Sequence, residues 1–245
     1  MNESSFDMLR TSLRDAHKVV IFTGAGVSCP SGIPDFRSAD GLYNSDSGTE
    51  YSPEELISHT MFEARPDLFW DFYRTKMIYP DALPNAAHRW FASLEREDRK
   101  VTVVTQNIDG LHQSAGSTRV LELHGSTQRN YCKDCGRKYT LDTVLAAEGV
   151  PHCPVCGGIV RPDVVLYEES LDGRTVGDAV GAISEAEVMI VAGTSLSVYP
   201  AASFVTYFRG NTLALVNKSH TPYDSEADLV FKYDIADFAK EMGDC

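Results

Sequence analysis

The sequence lacks any long hydrophobic run. Hydrophobic residues make up 43% of the 245 positions and charged residues 23%, yet no stretch approaches the ~20 apolar residues that a membrane-spanning helix needs. Residues 1–7 also lack the basic start and apolar core of a secretory signal. These absences argue against a membrane protein, and we expect a globular protein in the cytoplasm.

Positive charge is scarce as well. The chain has 22 Lys and Arg against 35 Asp and Glu, which gives a formal net charge of −13. This balance opposes non-specific attraction to phosphate backbones, but it suits cationic partners such as lysine-bearing protein segments. We therefore expect a protein or peptide partner, no nucleic acid and no membrane, and we expect a monomer.

Internal repeats and low-complexity tracts are absent too, so the organisation follows from hydrophobic periodicity. Nearly continuous apolar runs, typical of strands covered on both faces, predict strands at 18–23, 101–105, 188–192 and 213–216, with weaker candidates at 120–123 and 229–231. Helical patterns occur at 4–16, at 86–97 behind the cap residue Asn85, at 174–186, and at 200–209 with Pro200 in an N1-like position.

The alternation of strands and helices predicts an α/β fold with a Rossmann-like, doubly wound parallel sheet. Two segments interrupt the alternation: residues 40–82 are helical and rich in aromatic residues, and residues 128–158 hold cysteines among turns. We interpret both as insertions that form a smaller lobe. The Rossmann-like domain then comprises residues 1–39, 83–127 and 159–245.

Four of the six cysteines form two Cys-x2-Cys knuckles separated by 17 residues: Cys132, Cys135, Cys153 and Cys156. Each knuckle presents two thiolates from one tight turn, and two knuckles complete a tetrahedron around Zn²⁺. Gly136 and Gly157 follow the knuckles, where the turn favours a positive φ. Because four thiolates leave no open coordination position, we expect a structural zinc ribbon.

The zinc prediction has alternatives. One alternative is that the four cysteines bind no metal and are unrelated buried thiols. Another is that His152, beside Cys153, competes with a cysteine as a zinc ligand. A zinc ribbon also occurs in nucleic-acid-binding proteins. Residues 128–158, however, carry four basic and three acidic residues, which is too little positive charge for a phosphate-binding surface. Cys29 and Cys245 stand alone in the sequence.

A glycine-rich turn follows the first predicted strand: Thr23, Gly24, Ala25, Gly26, Val27 and Ser28. Glycines at such a turn let the backbone approach a pyrophosphate, whose charge binds to the N–H groups that follow. The third glycine of the dinucleotide-binding fingerprint is missing, because Cys29 occupies its place, and no acidic ribose partner lies clearly ~20 residues on. Alone, this turn is weak evidence for a nucleotide site.

Further polar groups follow other predicted strands, or lie just beyond the glycine turn: residues 32–37, 105–109, 124–125, 193–195 and 217–218. The carboxyl ends of parallel strands form the ligand crevice of an open α/β sheet, so these groups converge on one site. For any one of these groups, a structural role as a helix-capping residue or a turn glycine is at least as good an explanation as ligand binding. Together they predict a binding site.

These motifs, in this order along nearly the whole chain, resemble the sirtuins, the family of NAD-dependent protein-lysine deacylases. The resemblance implies that NAD is a co-substrate in the Rossmann crevice and that Zn²⁺ is structural. It also implies that the acyl oxygen attacks C1′ of the nicotinamide ribose as nicotinamide leaves, giving an alkylimidate, and that the acyl group ends on ADP-ribose.

The resemblance also implies roles for individual residues. His124 becomes the general base, with Asn107 and Asp109 as the other catalytic residues. The implied NAD contacts are Gly24, Ala25, Gly26, Cys29, Ile33, Asp35, Phe36, Arg37, Gln106, Asn107, Ile108, Asp109, His124, Gly193, Thr194, Ser195, Asn217, Lys218 and Ile235. The implied substrate contacts are Val165, Leu166, Tyr167, Tyr73 and Lys76.

Two places depart from the family pattern. Many sirtuins carry Phe-Gly-Glu where this chain has Tyr167, Glu168 and Glu169, so Glu168 either favours basic residues near the acyl-lysine or is a solvated loop residue. Tyr73 and Lys76 share a helix face and match the Tyr and Arg of sirtuins that prefer acidic acyl groups. Lysine supplies charge but no bidentate fork. We therefore expect a deacetylase with weak activity on succinyl-lysine.

Other functions remain open at this point. The same site suits a protein ADP-ribosyltransferase, and a different acyl preference would make the chain a desuccinylase. A non-catalytic NAD sensor is disfavoured by the presence of His124, Asn107 and Asp109. A zinc-ribbon binding module is disfavoured by the acidic charge balance.

Overall fold

The computed structural model describes residues 3–36, 38, 41–44, 48–197 and 200–243, so the predicted cofactor contact Arg37 and the lone Cys245 lie outside the described residues. Its strands are β1 (Lys18–Thr23), β2 (Lys100–Thr105), β3 (Val120–Glu122), β4 (Gly125–Cys132), β5 (Lys138–Thr140), β6 (Val160–Val164), β7 (Val188–Ala192), β8 (Thr212–Val216) and β9 (Leu229–Phe231). Six of them form one parallel sheet in the order β3-β2-β1-β7-β8-β9.

The α-helices are α1 (Glu3–Asp15), α2 (Pro53–Leu56), α3 (His59–Ala64), α4 (Pro66–Lys76), α5 (Ala86–Ser93), α6 (Leu111–Ser114), α7 (Leu141–Leu145), α8 (Gly173–Glu185) and α9 (Ile235–Met242). Short 3-10 helices occupy Ala25–Val27, Cys29–Ser31, Leu42–Asn44 and Ala201–Tyr207. None of the described helices is long and apolar enough to cross a membrane.

Helices cover both faces of the main sheet. Along β1, Val19 and Ile21 pack into a core with α1, α5 and α9, whereas Val20 and Phe22 pack into a second core with α8 and the 3-10 helix Ala201–Tyr207. Because alternate side chains of a strand point to opposite faces, this division follows directly from the apolar run in the sequence. The predicted doubly wound α/β fold is confirmed.

Two helix predictions need correction. The segment 200–209 forms a 3-10 helix over Ala201–Tyr207, and Pro200 is its N-cap residue rather than its first helical residue. The helix predicted at 86–97 ends at Ser93, because Arg96 and Arg99 form an isolated bridge that returns the chain towards β2. Its predicted cap is correct: the Asn85 side chain accepts a hydrogen bond from the Ala87 N–H.

A smaller antiparallel sheet, in the order β5-β4-β6, carries the cysteines. It reaches from Gly125 to Val164, beyond both ends of the segment 128–158 predicted from sequence. Its apolar side shares one core with α2, α3 and α4, where Phe62, Phe69 and Trp70 pack together with Cys132 and Cys153. The two segments that interrupt the strand–helix alternation therefore pack on each other.

Candidate active site

The four knuckle cysteines converge, with all their Sγ atoms within 4.8 Å of one another. The Cys132–Cys156 and Cys135–Cys153 Sγ pairs are 3.4 and 3.7 Å apart. A tetrahedral ion with Zn–S bonds of about 2.3 Å requires S···S separations of about 3.8 Å. The four thiols thus fit a structural zinc ion.

The surroundings of the cysteines favour the four-thiolate set. Gly136 and Gly157 both have positive φ, 71° and 78°, which lets each knuckle turn back on itself. The Tyr139 hydroxyl donates a hydrogen bond to Cys153 Sγ at 3.0 Å, a contact of the kind that orients metal ligands. His152, the competing ligand, lies outside the sulfur cluster, and its Nδ1 faces the Gly157 carbonyl oxygen at 3.0 Å.

The glycine turn after β1 packs against the turn after β7. Gly26 N–H donates to the Gly193 carbonyl oxygen at 2.8 Å. A Cβ on Gly24 would lie 2.7 Å from Thr194 Cβ, and one on Gly26 would lie 2.8 Å from the Gly193 oxygen. Gly193 itself has φ +59, and a Cβ there would lie 2.4 Å from the Val27 nitrogen. These glycines are required by the contact of two strand ends, in addition to any role towards a pyrophosphate.

A buried serine joins the two polar residues that follow β2. Ser28, 1% exposed, donates a hydrogen bond to Asp109 Oδ2 at 2.6 Å and accepts one from Asn107 Nδ2 at 3.0 Å. The other Asp109 oxygen accepts from the Leu111 N–H at 2.9 Å. Burial raises the pKa of the Asp109 carboxyl, and these two hydrogen bonds oppose that rise. The network fixes both side chains at the edge of the cleft.

A second layer of hydroxyls supports that network from below. Thr105 Oγ1 accepts from the Asn107 N–H at 3.0 Å and from Thr23 Oγ1 at 2.8 Å. His112 Nε2 faces Thr23 Oγ1 at 3.0 Å, and His112 packs edge-on against His88. All of these groups are buried at the carboxyl ends of β1 and β2. The backbone that carries Asn107 is therefore held rigidly.

His124 lies in the turn between β3 and β4. Its Nδ1 is 2.9 Å from the Gln106 carbonyl oxygen, which only accepts hydrogen bonds, so Nδ1 carries the proton and Nε2 has a free lone pair. Burial lowers the pKa of His124, and the hydrogen bond to Gln106 partly offsets this. The imidazole is therefore neutral at physiological pH and able to accept a proton through Nε2.

A cleft lies where the glycine turn and the residues after β2 face the small lobe, and neither His124 nor Gln106 is among the residues that line it. Its lining contains six predicted cofactor contacts, of which two, Asn107 and Asp109, are also predicted catalytic residues; the other four are Ala25, Ile33, Phe36 and Ile108. Ser28, Tyr79, Met77 and Gln128 also line it. No role for Ser28 is predicted from the sequence, although it belongs to the glycine-rich turn. The others follow no strand end and carried no sequence signal.

Tyr73 and Lys76, the pair predicted to select the acyl group, lie in different environments. Lys76, at the end of α4, lines the cleft, and no ion pair to its ammonium occurs among the described residues. Tyr73 is 1% exposed and stacks against Phe69 in the small-lobe core, where its hydroxyl finds no partner in the described chain. Burial raises the pKa of the Tyr73 hydroxyl. Tyr73 therefore lies outside the cleft surface.

The remaining predicted cofactor contacts surround the ends of β1, β7 and β8. Gln106 Nε2 donates to Thr194 Oγ1 at 3.2 Å, and Asn217 Nδ2 donates to the Ser219 carbonyl oxygen at 3.0 Å. The Lys218 ammonium pairs with Asp234 at 2.8 Å. Ile235 is buried, with its side chain in the core beneath α9. Ser195 is exposed, and its hydroxyl forms a hydrogen bond with that of Ser197.

Cys29 and Asp35 lie side by side next to the glycine turn. Cys29 Sγ is 3.6 Å from the Ala25 carbonyl oxygen and 4.0 Å from Asp35 Oδ2. Burial raises the pKa of the Cys29 thiol, and the nearby Asp35 carboxylate raises it further. The thiol is thus protonated and unreactive at neutral pH.

The predicted substrate strand continues β6 as an extended segment. Val165 N–H donates to the His124 carbonyl oxygen at 3.0 Å, Leu166 is buried, and Tyr167 pairs with Ser58 in a parallel bridge. The Tyr167 hydroxyl contacts that of Tyr43. Glu168 has φ 75, the conformation that glycine adopts without strain, and its carboxylate is bonded to Thr60. Glu168 is therefore engaged within the chain.

Comparison with known proteins places this arrangement in one family. The Sir2 family model matches residues 24–200. The chain is 54% identical over 223 residues to an NAD-dependent protein deacetylase of Clostridium acetobutylicum, with 91% of each chain covered. It is 43% identical over 236 residues to one of Staphylococcus aureus, covering 96% of this chain and 97% of that one.

Solved structures give the same result. A Sir2 protein with a p53 peptide and NAD+ has a TM-score of 0.84 at 38% identity, with 96% of each chain covered. A Sir2 histidine variant with a deacetylated p53 peptide and 3′-O-acetyl ADP-ribose has a TM-score of 0.87 at 37% identity, with 98% of each chain covered. The chain therefore belongs to the Sir2 family, the sirtuins.

Proposed function

We propose that this protein is an NAD-dependent protein-lysine deacetylase. The observation that carries the proposal is His124, whose Nδ1–H is donated to the Gln106 carbonyl while Nε2 makes no hydrogen bond among the described residues. Relatives at 42–54% identity over most of the chain are named NAD-dependent protein deacetylases. Related structures hold acetylated peptides and acetylated ADP-ribose.

In the proposed reaction, NAD is a co-substrate that supplies an electrophilic ribose carbon and the ADP-ribose that accepts the acyl group. His124 takes a proton at Nε2 as the acyl group moves. The Ser28-bridged pair, Asn107 and Asp109, orients the bound ribose and nicotinamide amide in a cleft partly shielded from water. The four cysteines hold structural Zn²⁺ and take no part in bond making.

The decisive experiment follows the acetyl group. The protein is incubated with NAD and an acetyl-lysine peptide, and the products are identified by mass spectrometry. We expect deacetylated peptide, nicotinamide and O-acetyl-ADP-ribose in equal amounts. We expect His124→Ala to lower the turnover rate by roughly 10²-fold or more, the range of positioned general bases.

The exposed His17 at the far end of β1 provides a matched control. His17→Ala should retain full activity, since its Nδ1 contacts only the Asp98 carbonyl oxygen. Free acetate without consumption of NAD would refute the proposed reaction. Radiolabel from NAD that stays on protein, with little deacetylation, would instead favour the alternative, a protein ADP-ribosyltransferase.

Lys76 supports a secondary acyl preference. Its unpaired ammonium lines the cleft among the described residues, where it can attract the carboxylate of succinyl-lysine. It lacks a bidentate fork, and the neighbouring Tyr73 hydroxyl is buried, so only one charged contact is available. We propose that acetyl-lysine is the preferred substrate and that succinyl-lysine is a weak one.

The prediction is tested with acetylated and succinylated versions of one peptide. We expect kcat/KM at least about tenfold higher for acetyl, and a further fall in the succinyl-to-acetyl ratio for Lys76→Ala, since one charge-assisted contact is worth ~1.5–3 kcal/mol. Arg74→Ala is the control, because Arg74 lies on the same helix but bonds to the Val144 carbonyl oxygen. Comparable kcat/KM on both peptides contradicts the prediction.

We further propose that the protein acts as a cytoplasmic monomer on protein or peptide substrates, without a nucleic-acid partner, consistent with the net charge of −13. The proposed division into domains accompanies this function. Residues 1–39, 83–127 and 159–245 bind NAD, and the small lobe of 40–82 and 128–158 forms the opposite wall of the cleft. Lys76, Met77 and Leu141 contribute to that wall.

A further inference from the structure

A second groove lies at the opposite end of the main sheet from His124. Its floor is the start of β1 and β2, with Lys18, Val20, Lys100 and Thr102, and its wall is the adjacent face of α8. It encloses about 250 Å³, enough for a small metabolite but less than the usual ~300–1,000 Å³ of a drug-sized ligand. Its lining reaches Val20, three residue steps of β1, or about 10 Å, before the strand ends at Thr23 next to the glycine turn.

The groove exists because α8 has glycines where it faces the floor. Gly177 and Gly181 both line the groove, and a Cβ built on either would meet no atom within 4 Å. Two residues after each glycine, Ala179 and Ile183 are completely buried, so α8 packs against the sheet through these side chains. Glycine destabilises a helix relative to alanine, yet here neither glycine is required by a neighbouring atom. The glycines keep the groove open.

Polar groups in the groove lack partners. Thr102 is only 3% exposed, and no hydrogen bond to its hydroxyl occurs in the described part of the chain. Arg119 Nε is buried without a hydrogen-bond partner among the described atoms. Buried polar groups are almost always hydrogen-bonded, because an unpaired one has lost its bonds to water without replacement. Arg119 Nε therefore calls for an external partner, and the Thr102 hydroxyl, which is not among the fully buried unpaired atoms, is available to a ligand in the groove.

The free charges of the groove are mainly positive. Glu185 is paired with Lys18 at 3.0 Å, which neutralises one pair of charges. Lys100 and Arg119 have no ion pair among residues that the structure describes, and Asp178 is the remaining acid in the lining. The hydrogen bond and charge of Lys18 lower the pKa of the Glu185 carboxyl most, and Lys100 and Arg119 lower it further. A guanidinium and an ammonium beside a hydroxyl form a donor set for an oxyanion.

We propose that this groove binds a small oxyanion-bearing metabolite, a phosphorylated or carboxylated compound no larger than a sugar phosphate. The oxyanion contacts Arg119 and Lys100, and a further acceptor or hydroxyl contacts Thr102. Asp178 favours a ligand that also carries hydroxyl donors. The groove lies at the amino ends of the strands, so the ligand is separate from one bound at their carboxyl ends.

The test uses the full-length chain, without NAD, in ¹H–¹⁵N correlation spectra at constant ionic strength. The probes are inorganic phosphate, ribose 5-phosphate and citrate, with sodium chloride as the reference for screening effects. We expect saturable shifts in the amides of 18–20, 100–102, 119 and 177–185, with a dissociation constant in the millimolar range or below. Comparison of ribose 5-phosphate with citrate distinguishes phosphate from carboxylate recognition.

Two variants address the groove by different means. Arg119→Gln removes the guanidinium, and Gly181→Leu extends a side chain into the groove from a position where a Cβ meets no atom within 4 Å. Both should weaken binding by at least about tenfold, equivalent to ~1.4 kcal/mol. The controls are Arg174→Gln and Gly173→Ala, which make similar changes in the first turn of α8 outside the groove. Circular dichroism establishes that every variant folds.

The proposal requires binding of at least one probe, loss in both groove variants and retention in both controls. Absence of saturable shifts up to about 20 mM of every probe, well above a millimolar dissociation constant, overturns it. Undiminished binding in either groove variant, or equal loss in a control, also overturns it. A deacetylase assay on the same samples keeps the outcome separate from the proposed catalytic function.

Discussion

His124 experiences two opposing influences on its proton affinity. Burial in the turn after β3 disfavours the charged imidazolium and lowers the pKa, whereas the Gln106 carbonyl oxygen, which accepts the Nδ1 proton, raises it in part. The net direction is downward from the ordinary value of ~6.5. A base must be neutral to accept a proton, so a lowered pKa extends the active range towards acid.

The pH dependence of kcat/KM follows from that direction. With NAD and an acetyl-lysine peptide, we expect a constant value from about pH 8 to 6.5 and a decline only below ~6.5, as His124 becomes protonated. Circular dichroism must accompany the assay. Burial holds the pKa of His88 at about 4 and that of His112 at about 3, so acid also destabilises the fold. A decline centred above pH 7 in folded protein contradicts the prediction.

At the scale of elements, Glu168 links the segment after β6 to the start of α3. Its Oε2 accepts hydrogen bonds from the Thr60 N–H at 2.9 Å and the Thr60 hydroxyl at 2.6 Å. These bonds lower the pKa of the Glu168 carboxyl. The backbone at Glu168 meanwhile has φ 75, which is strained for any residue with a Cβ. The contact to α3 explains why a non-glycine residue is tolerated there.

Two substitutions separate the strain from the contact. Glu168→Ala loses both hydrogen bonds and keeps the Cβ, whereas Glu168→Gly loses the bonds but removes the strain. We expect resistance to urea to decrease in the order wild type, Glu168→Gly, Glu168→Ala. Because the carboxylate is bound to Thr60, neither variant should change the preference between peptides with basic and neutral flanking residues. A Glu168→Ala variant as stable as wild type would show that the Thr60 contact contributes nothing, because that variant loses the bonds and keeps the strain.

Strands and helices also differ in how well the sequence predicts them. β1, β7 and β9 have the predicted bounds, because strands buried on both faces are continuous apolar runs. The zinc knuckles are equally predictable from the sequence, because each is formed by residues close together in the chain. The Glu168–Thr60 contact spans 108 residues, and Tyr73 turns from the cleft into the small-lobe core despite sharing a helix face with Lys76. Both depend on tertiary packing, which local periodicity does not encode.

At the scale of the whole molecule, the zinc module and the cleft are mechanically connected. Cys132 and Cys153 belong to the same apolar core as Phe62 and Trp70 of the small-lobe helices. The end of α4 and the start of α7 then provide Lys76 and Leu141 to the cleft wall. The metal site has a structural role, because it stabilises the small-lobe core that supports one wall of the cleft.

Loss of zinc should therefore loosen one lobe and abolish activity. For Cys135→Ser we expect bound zinc to fall from about one ion per chain to nearly none, and the thermal midpoint to fall by roughly 10 °C, since each kcal/mol shifts it ~2–4 °C at this size. New proteolytic cleavages should appear within 48–78 and 125–166 while the main sheet stays protected. Cys29→Ser, remote from the sulfur cluster, should keep its zinc and its protection. Complete loss of zinc with an unchanged midpoint and cleavage pattern would mean that the small-lobe core stands without the metal, and that the wall of the cleft is supported by apolar packing alone.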